Sequence, residues 1–208
     1  MQAQREKGAL NWVFNIIEGR TEQEDVIYRE SGEEGFLLLP DLNWDRKTMG
    51  SLHLLGIVER RDIWSVRDLK KNMTEWVKHM REKMLEATVK LYPELERDEL
   101  KLYVHCELMV RRGMEELANG CIDQPTYYHF HIHIVHVSLE AGSTQATGKA
   151  LGLENIISQL ETMASASTSS PPGMQDVSLT YHLGERSDLW EKVYLPLKEG
   201  REVKVDGF

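Results

Sequence analysis

The 208-residue chain is 41% hydrophobic, enough for a sizeable core in one domain, and carries a formal charge of -9 at pH 7. That acidic balance argues against a broad surface tracking the phosphates of long nucleic acid, which needs clustered Lys and Arg, but leaves a local anion pocket open. No run approaches the roughly 20 apolar residues of a membrane span, "MQAQREKGAL" lacks the apolar core of a signal peptide, and Cys106 and Cys121 are too few for a disulfide scaffold. An intracellular, reducing compartment without membrane contact is the expectation.

In chain order, "VIYRE" (Val26 to Glu30), "GFLLLPD" (Gly35 to Asp41) and "LHLLGIVE" (Leu52 to Glu59) read as short strands. The turn chemistry of "SGEE" and "PDLNWD" between them implies antiparallel pairing. "SVRDL" then offers Ser65 with Asp68 as a helix-start signal, and Met73, Trp76, Val77, Met80, Met84, Ala87, Thr88 and Leu91 follow at helical spacing until Pro93. The Met and Trp stripe is read as a core-facing face and not as a cofactor box. "LKLYVH" (Leu100 to His105) alternates as a strand, and after a charged interval comes the apolar run "TYYHFHIHIVHV" (Thr126 to Val137). Beyond it the pattern predicts a helix from Ala150 to Met163, a solvated "ASASTSSPPG" loop, a strand "VSLTYHL" and a short helix near Asp188 to Leu197. Strands with helices on one face make the fold class α+β, in a single domain with its core at about 11–140 and the remaining elements at 148–200 attached to it.

His129, His131 and His133 stand at alternate positions of the last apolar run, so on a strand they project from one face while Phe130, Ile132 and Ile134 project from the other. His136 falls on the apolar parity and is read as a structural histidine with its own partner. Imidazole is a common zinc ligand, but the outer two members of the row lie about 13 Å apart along a strand, too far to converge on one ion. Plain polar surface is uncommon on so apolar a strand. The remaining reading is phosphoryl or nucleotidyl chemistry without metal or cofactor: a central neutral imidazole attacks phosphorus while its neighbours orient it and stabilise the equatorial oxygens.

The run resembles the histidine-triad (HIT) signature, His-φ-His-φ-His-φ-φ, over His129 to Val135, and that resemblance makes the middle residue, His131, the nucleophile. Together with "NWVFNI", "GFLLLPDLNW", "ERRDIWSVRDL", "LYVH" and "PTYYHFHIHIVHV", the chain is similar, from Asn11 to about Val137, to the scavenger mRNA decapping enzyme (DcpS) family, in a form of fungal type. The resemblance implies a HIT-like fold, an antiparallel sheet with helices packed on it. It also implies hydrolysis of the 7-methylguanosine triphosphate cap on short fragments or cap dinucleotide, in 3′-to-5′ decay, releasing 7-methylguanosine monophosphate through a covalent histidine intermediate. Trp12 matches the position that stacks on the methylated base and Glu22 the one that accepts from its Watson–Crick edge, roles that suit a flat cationic ring. Asn15, Pro40, Asp41, Thr126 and Tyr127 match further ligand positions, and His105 stands behind them in support of the triad.

Asn43 stands where the family usually has a lysine, removing one phosphate-neutralising charge. The family's N-terminal, domain-swapped dimerisation domain is expected to be absent ahead of Trp12. The alternatives are a cap-binding or regulatory paralogue that forms a heterodimer with an active homologue, and a general HIT nucleotide hydrolase. A homodimer or such a heterodimer is expected, in the cytoplasm with nuclear residence left open. Lastly, Glu107 to Ile122 is surplus to the family pattern, which joins His105 almost directly to the Pro-Thr-Tyr segment. Codons permitted for Cys106-Glu107, Ala118-Asn119 and Ile122-Asp123 can supply a splice donor, a branch point and an acceptor. Their removal keeps frame and creates a tyrosine codon, so a retained intron is favoured over a genuine insertion.

Overall fold

The computed structural model describes residues 11–105, 129–140, 145–146, 148–164, 171–180, 182, 184–186 and 190–201. The surplus segment 107–122, both cysteines, Thr126, Tyr127 and most of the Ser/Pro-rich stretch lie outside them. The elements are α1 (Asn11–Ile17), β1 (Tyr28–Glu30), β2 (Phe36–Pro40), β3 (His53–Val58), α2 (Thr74–Leu91), β4 (Leu100–His105), β5 (His131–His136), β6 (Ala150–Gly152), α3 (Leu153–Thr162) and α4 (Leu195–Lys198). The six strands form one sheet in the order β1-β2-β3-β5-β4-β6, with every recorded pairing antiparallel. This is the α+β architecture that the strand and helix patterns imply.

Alternation assigns the two faces. On the back, Phe36, Leu38, Leu54, Ile132 and Ile134 meet Trp76, Val77, Met80 and Met84 of α2 and Leu153, Ile156, Ile157 and Leu160 of α3 in one cluster. Gly56 lies under the Met84 side chain of α2: a Cβ there would stand 2.6 Å from its Sδ and Cε. Thr88, fully buried within the helix face, satisfies its hydroxyl by donating to the Met84 carbonyl at 2.7 Å. On the front, Val13, Ile16 and Ile17 of α1 cover Leu37, Leu39 and Ile57, which leaves the β3-β5-β4 part of that face to polar groups.

Several expectations are corrected. The Ser65–Asp68 capping box exists, but it caps a 3-10 turn, Val66–Asp68; α2 begins only at Thr74, because Lys70 is held in a bridge to Gly173 and cannot be helical. Ala150 to Gly152 are not the first helical turn. They pair with Tyr103, Val104 and His105 as edge strand β6, and the helix follows at Leu153. "VSLTYHL" carries no strand among its described residues; the Val177 carbonyl accepts from Nη1 of Arg67, as does that of Met174, so side-chain bonds replace a ladder there. The final short helix is a π-helical turn, Trp190–Tyr194, running into α4.

Helix α1 was not anticipated. It ends in a Schellman arrangement, with Gly19 at φ 76°, its N–H on the Ile16 carbonyl at 3.1 Å and the Arg20 N–H on that of Asn15 at 2.7 Å. Arg29 of β1 donates to the Ile16 and Ile17 carbonyls at 3.2 and 3.0 Å and to Glu59 at 3.0 Å, tying the helix end to the sheet.

Candidate active site

Strand β5 lies between β3 and β4, and its register decides what surrounds each histidine. His131 is opposite Ile57, and His133 is opposite Leu55 on one side and Tyr103 on the other. All three triad histidines are buried. The His129 ring is fixed by donation from Nε2 to the Val58 carbonyl at 2.7 Å and meets Phe14 of α1 edge to face at 5.8 Å. Through that contact α1, which carries Trp12 and Asn15, abuts the triad.

His131 donates from Nδ1 to the His129 carbonyl at 2.8 Å, since a carbonyl can only accept. The proton is therefore on Nδ1 and the lone pair on Nε2 of a neutral ring. Burial, followed by repulsion from His105 and His129, pulls its pKa down to about 4, against the pull of that hydrogen bond, so the neutral form prevails at physiological pH. Burial lowers His129, His105 and His53 in the same direction, and His133 lies well below the ordinary value. The site thus holds neutral imidazoles, which are nucleophiles and proton acceptors.

His133 is clamped from several sides. Tyr103 stacks on it at 4.6 Å with an interplanar angle of 3°, His105 meets it edge-on at 4.7 Å and His131 at 5.1 Å. The His105 ring also lies 6.3 Å from that of His131. Burial raises the Tyr103 phenol to about 12, so the stacking ring is neutral. Nδ1 of His133 bonds Nε2 of His53 at 2.9 Å, and Nδ1 of His53 lies 3.7 Å from Oδ1 of Asp41. His53 and Tyr103 escaped the sequence reading. His53 opens a strand of ordinary apolar alternation, and only its register against β5, diagonal to His133, reveals it.

Asp41, His53 and His133 each place a donor atom within 4.8 Å of the others, the group among the described residues that could hold a metal ion. The 2.9 Å contact, however, commits a ring nitrogen of each histidine to the other, which describes a hydrogen-bonded chain and not ligands splayed around an ion. Asn43 closes that end of the chain: its backbone N–H and side-chain amide both donate to Oδ1 of Asp41, at 2.8 and 2.9 Å.

The other expected ligand residues are less closely joined. Trp12 is 36% exposed on α1. Asn15 accepts from Arg20 at 3.4 Å and lines an open cleft with Asn11, Phe14, Glu18, Arg20 and Arg61. Pro40 is buried at the end of β2, opposite Leu54. Glu22 sits exposed in a turn at φ 53°, and among the described residues no hydrogen bond or ion pair ties its side chain to the triad. His136 has partners of its own, accepting from the Ser138 N–H at 3.0 Å and lying 3.9 Å from Glu99, as its parity implied.

Comparison with known proteins adds to this geometry. The family model "Scavenger mRNA decapping enzyme C-term binding" matches residues 11–112. An m7GpppX diphosphatase of Schizosaccharomyces pombe is 33% identical over 88% of this chain and 52% of its own length. Proteins of the same name from Caenorhabditis elegans and Ascaris suum are 35% and 30% identical, over 73% and 91% of this chain and 43% and 54% of theirs. The chain thus spans about half the length of the curated relatives it matches. With the triad strand, its flanking histidine and these matches in agreement, the chain belongs to the scavenger mRNA decapping enzyme family.

Proposed function

We propose that this chain hydrolyses the 7-methylguanosine triphosphate cap of cap dinucleotide or very short capped RNA, releasing 7-methylguanosine monophosphate. The observation that carries the reading is the state of His131: buried, neutral, its proton held at Nδ1 by the His129 carbonyl and its lone pair on Nε2. In the first step that lone pair forms a bond to phosphorus and the phosphoanhydride oxygen leaves. In the second, water displaces the imidazole. His129 and His133 orient the ring and the phosphate oxygens. Trp12 stacks on the base and Glu22 accepts from its edge, with Asn15, Pro40, Asp41, Thr126 and Tyr127 as further ligand contacts. The chain acts as one domain with its core at 11–140, in the cytoplasm, as a homodimer or with a homologue.

The test is turnover of cap dinucleotide with and without chelator, together with mass spectrometry of a trapped adduct. Label on His131 and indifference to chelator are expected; turnover with His131 unlabelled overturns the mechanism. A second reading, a cap-binding paralogue with little turnover, is favoured by Asn43, which is bonded to Asp41 where a lysine would supply positive charge. Binding of 7-methylguanosine monophosphate without hydrolysis of the dinucleotide decides for it.

A further inference from the structure

We infer that Asp41 and His53 form a positioning relay that holds His133 in the tautomer protonated at Nδ1, so that its Nε2 faces the reaction as a proton acceptor. The chain of contacts gives the direction. The Asp41 carboxylate lies 3.7 Å from Nδ1 of His53, beyond hydrogen-bond length, and its negative charge favours the proton of His53 on that nitrogen. That leaves Nε2 of His53 as an acceptor, and the 2.9 Å bond must then be donated by Nδ1 of His133. Nε2 of His133 is consequently the lone-pair nitrogen. It is buried and makes no hydrogen bond among the described residues, in a ring packed 5.1 Å from that of His131. A buried acceptor kept unspent at such a place is what a proton-transfer step requires. The groups facing this chain are Asp41 from the β2–β3 connection, Tyr103 and His105 from β4, and His131 on β5 itself.

The relay rests on the proposed cap hydrolysis and assigns its second step. Water attacks the phosphorus bound to His131, forming a P–O bond. The P–N bond breaks and its electron pair returns to Nε2 of His131. The water proton passes to Nε2 of His133, and the Nδ1 proton of His133 moves to Nε2 of His53. The positive charge thereby ends on His53 beside Asp41, away from the scissile bond. No oxidant, reductant or metal enters this balance.

The experiment is 15N–1H NMR of the histidine rings in the full chain, with turnover of cap dinucleotide measured in parallel. Wild type is expected to show His133 protonated at Nδ1. His53→Phe removes the acceptor and should switch His133 to the Nε2–H form, while His53→Gln, whose carbonyl oxygen still accepts, should keep Nδ1–H. Asp41→Asn, close to isosteric, should mix the two forms and serves should His53→Phe fail to fold. On turnover, His53→Phe should lose tenfold or more in kcat with KM within about twofold, and His53→Gln should recover most of that loss. His133 protonated at Nε2 in wild type, or unchanged in His53→Phe, overturns the relay. An undiminished kcat in His53→Phe with label still on His131 overturns the relay and leaves cap hydrolysis standing. Absence of both turnover and adduct in wild type removes cap hydrolysis and leaves the ring spectra to decide the tautomer.

Discussion

Acidification from pH 7.5 to 5 should destabilise the fold through its buried imidazoles well before the carboxylates respond. His131 titrates near 6.5 in the unfolded chain and at about 4 in the folded one. A depressed histidine contributes its full stability above the unfolded value and loses it as pH falls toward the folded one. At one pKa unit per about 1.4 kcal/mol, His131 alone accounts for about 2 kcal/mol lost at pH 5. His53, His105, His129 and His133 are lowered in the same sense and add to the loss. The shifted carboxylates, Glu18, Asp45, Asp62, Glu82 and Glu161, are all lowered, so their contributions fade only below the ordinary carboxylate range. Urea unfolding at pH 7.5 and 5.0 measures the total, and the same pair of measurements on His131→Asn isolates one imidazole. The difference between the two pH values should shrink by about 2 kcal/mol in the variant. A wild-type stability that is flat between these pH values, or a variant with an unaltered pH difference, refutes the assignment of a buried neutral His131.

Other outcomes can be checked directly. His131→Asn should abolish hydrolysis of cap dinucleotide while leaving its dissociation constant within about twofold, since the proposed base contacts, Trp12 and Glu22, are untouched. Trp12→Ala should do the reverse, weakening binding of 7-methylguanosine monophosphate by about 1–3 kcal/mol in titration calorimetry, with adduct formation on His131 retained at saturating substrate. Gly56→Val should cost about 1–3 kcal/mol in urea unfolding, because the new side chain has to displace the tip of Met84 within a fully buried core. Combining it with Met84→Ala should cost less than the sum of the two single changes, and full additivity would place the clash elsewhere.

Much of this fold was legible because its signals are local. The 3.6-residue stripe from Met73 to Leu91 found α2, and alternation in "HFHIHIV" assigned both faces of β5 before any partner strand was known. What stayed hidden depends on partners distant in the chain. Ala150 to Gly152 continue a helical pattern and become a strand because the edge of β4 is open to them. Ser65 and Asp68 form the capping box their spacing promises, yet the long helix waits until Thr74, because the intervening backbone is held by Gly173 more than a hundred residues away. The same limit governs the site: the histidine row is written in twelve consecutive residues, but His53 joins it only through the register of β3 on β5. Helix α1 could have been found, since Gly19 closes the apolar segment that Trp12 opens.

The position of β5 inside the sheet has a consequence for how this protein breathes. Both flanks of the strand that carries His131 are hydrogen-bonded, to β3 on one side and β4 on the other, and its rear side chains are locked under α2 and α3. Its amides can exchange with solvent only when most of the molecule opens, so the exchange rates of Ile132 and Ile134 should track global unfolding, while those of the seven-residue α1 should respond to smaller openings. His131, the proposed nucleophile, therefore rides on a strand held along both edges and from behind. On the proposed function, adjustment to the ligand falls to α1 and the turn that follows it, and mutations that loosen that helix should change ligand binding while leaving β5 in place.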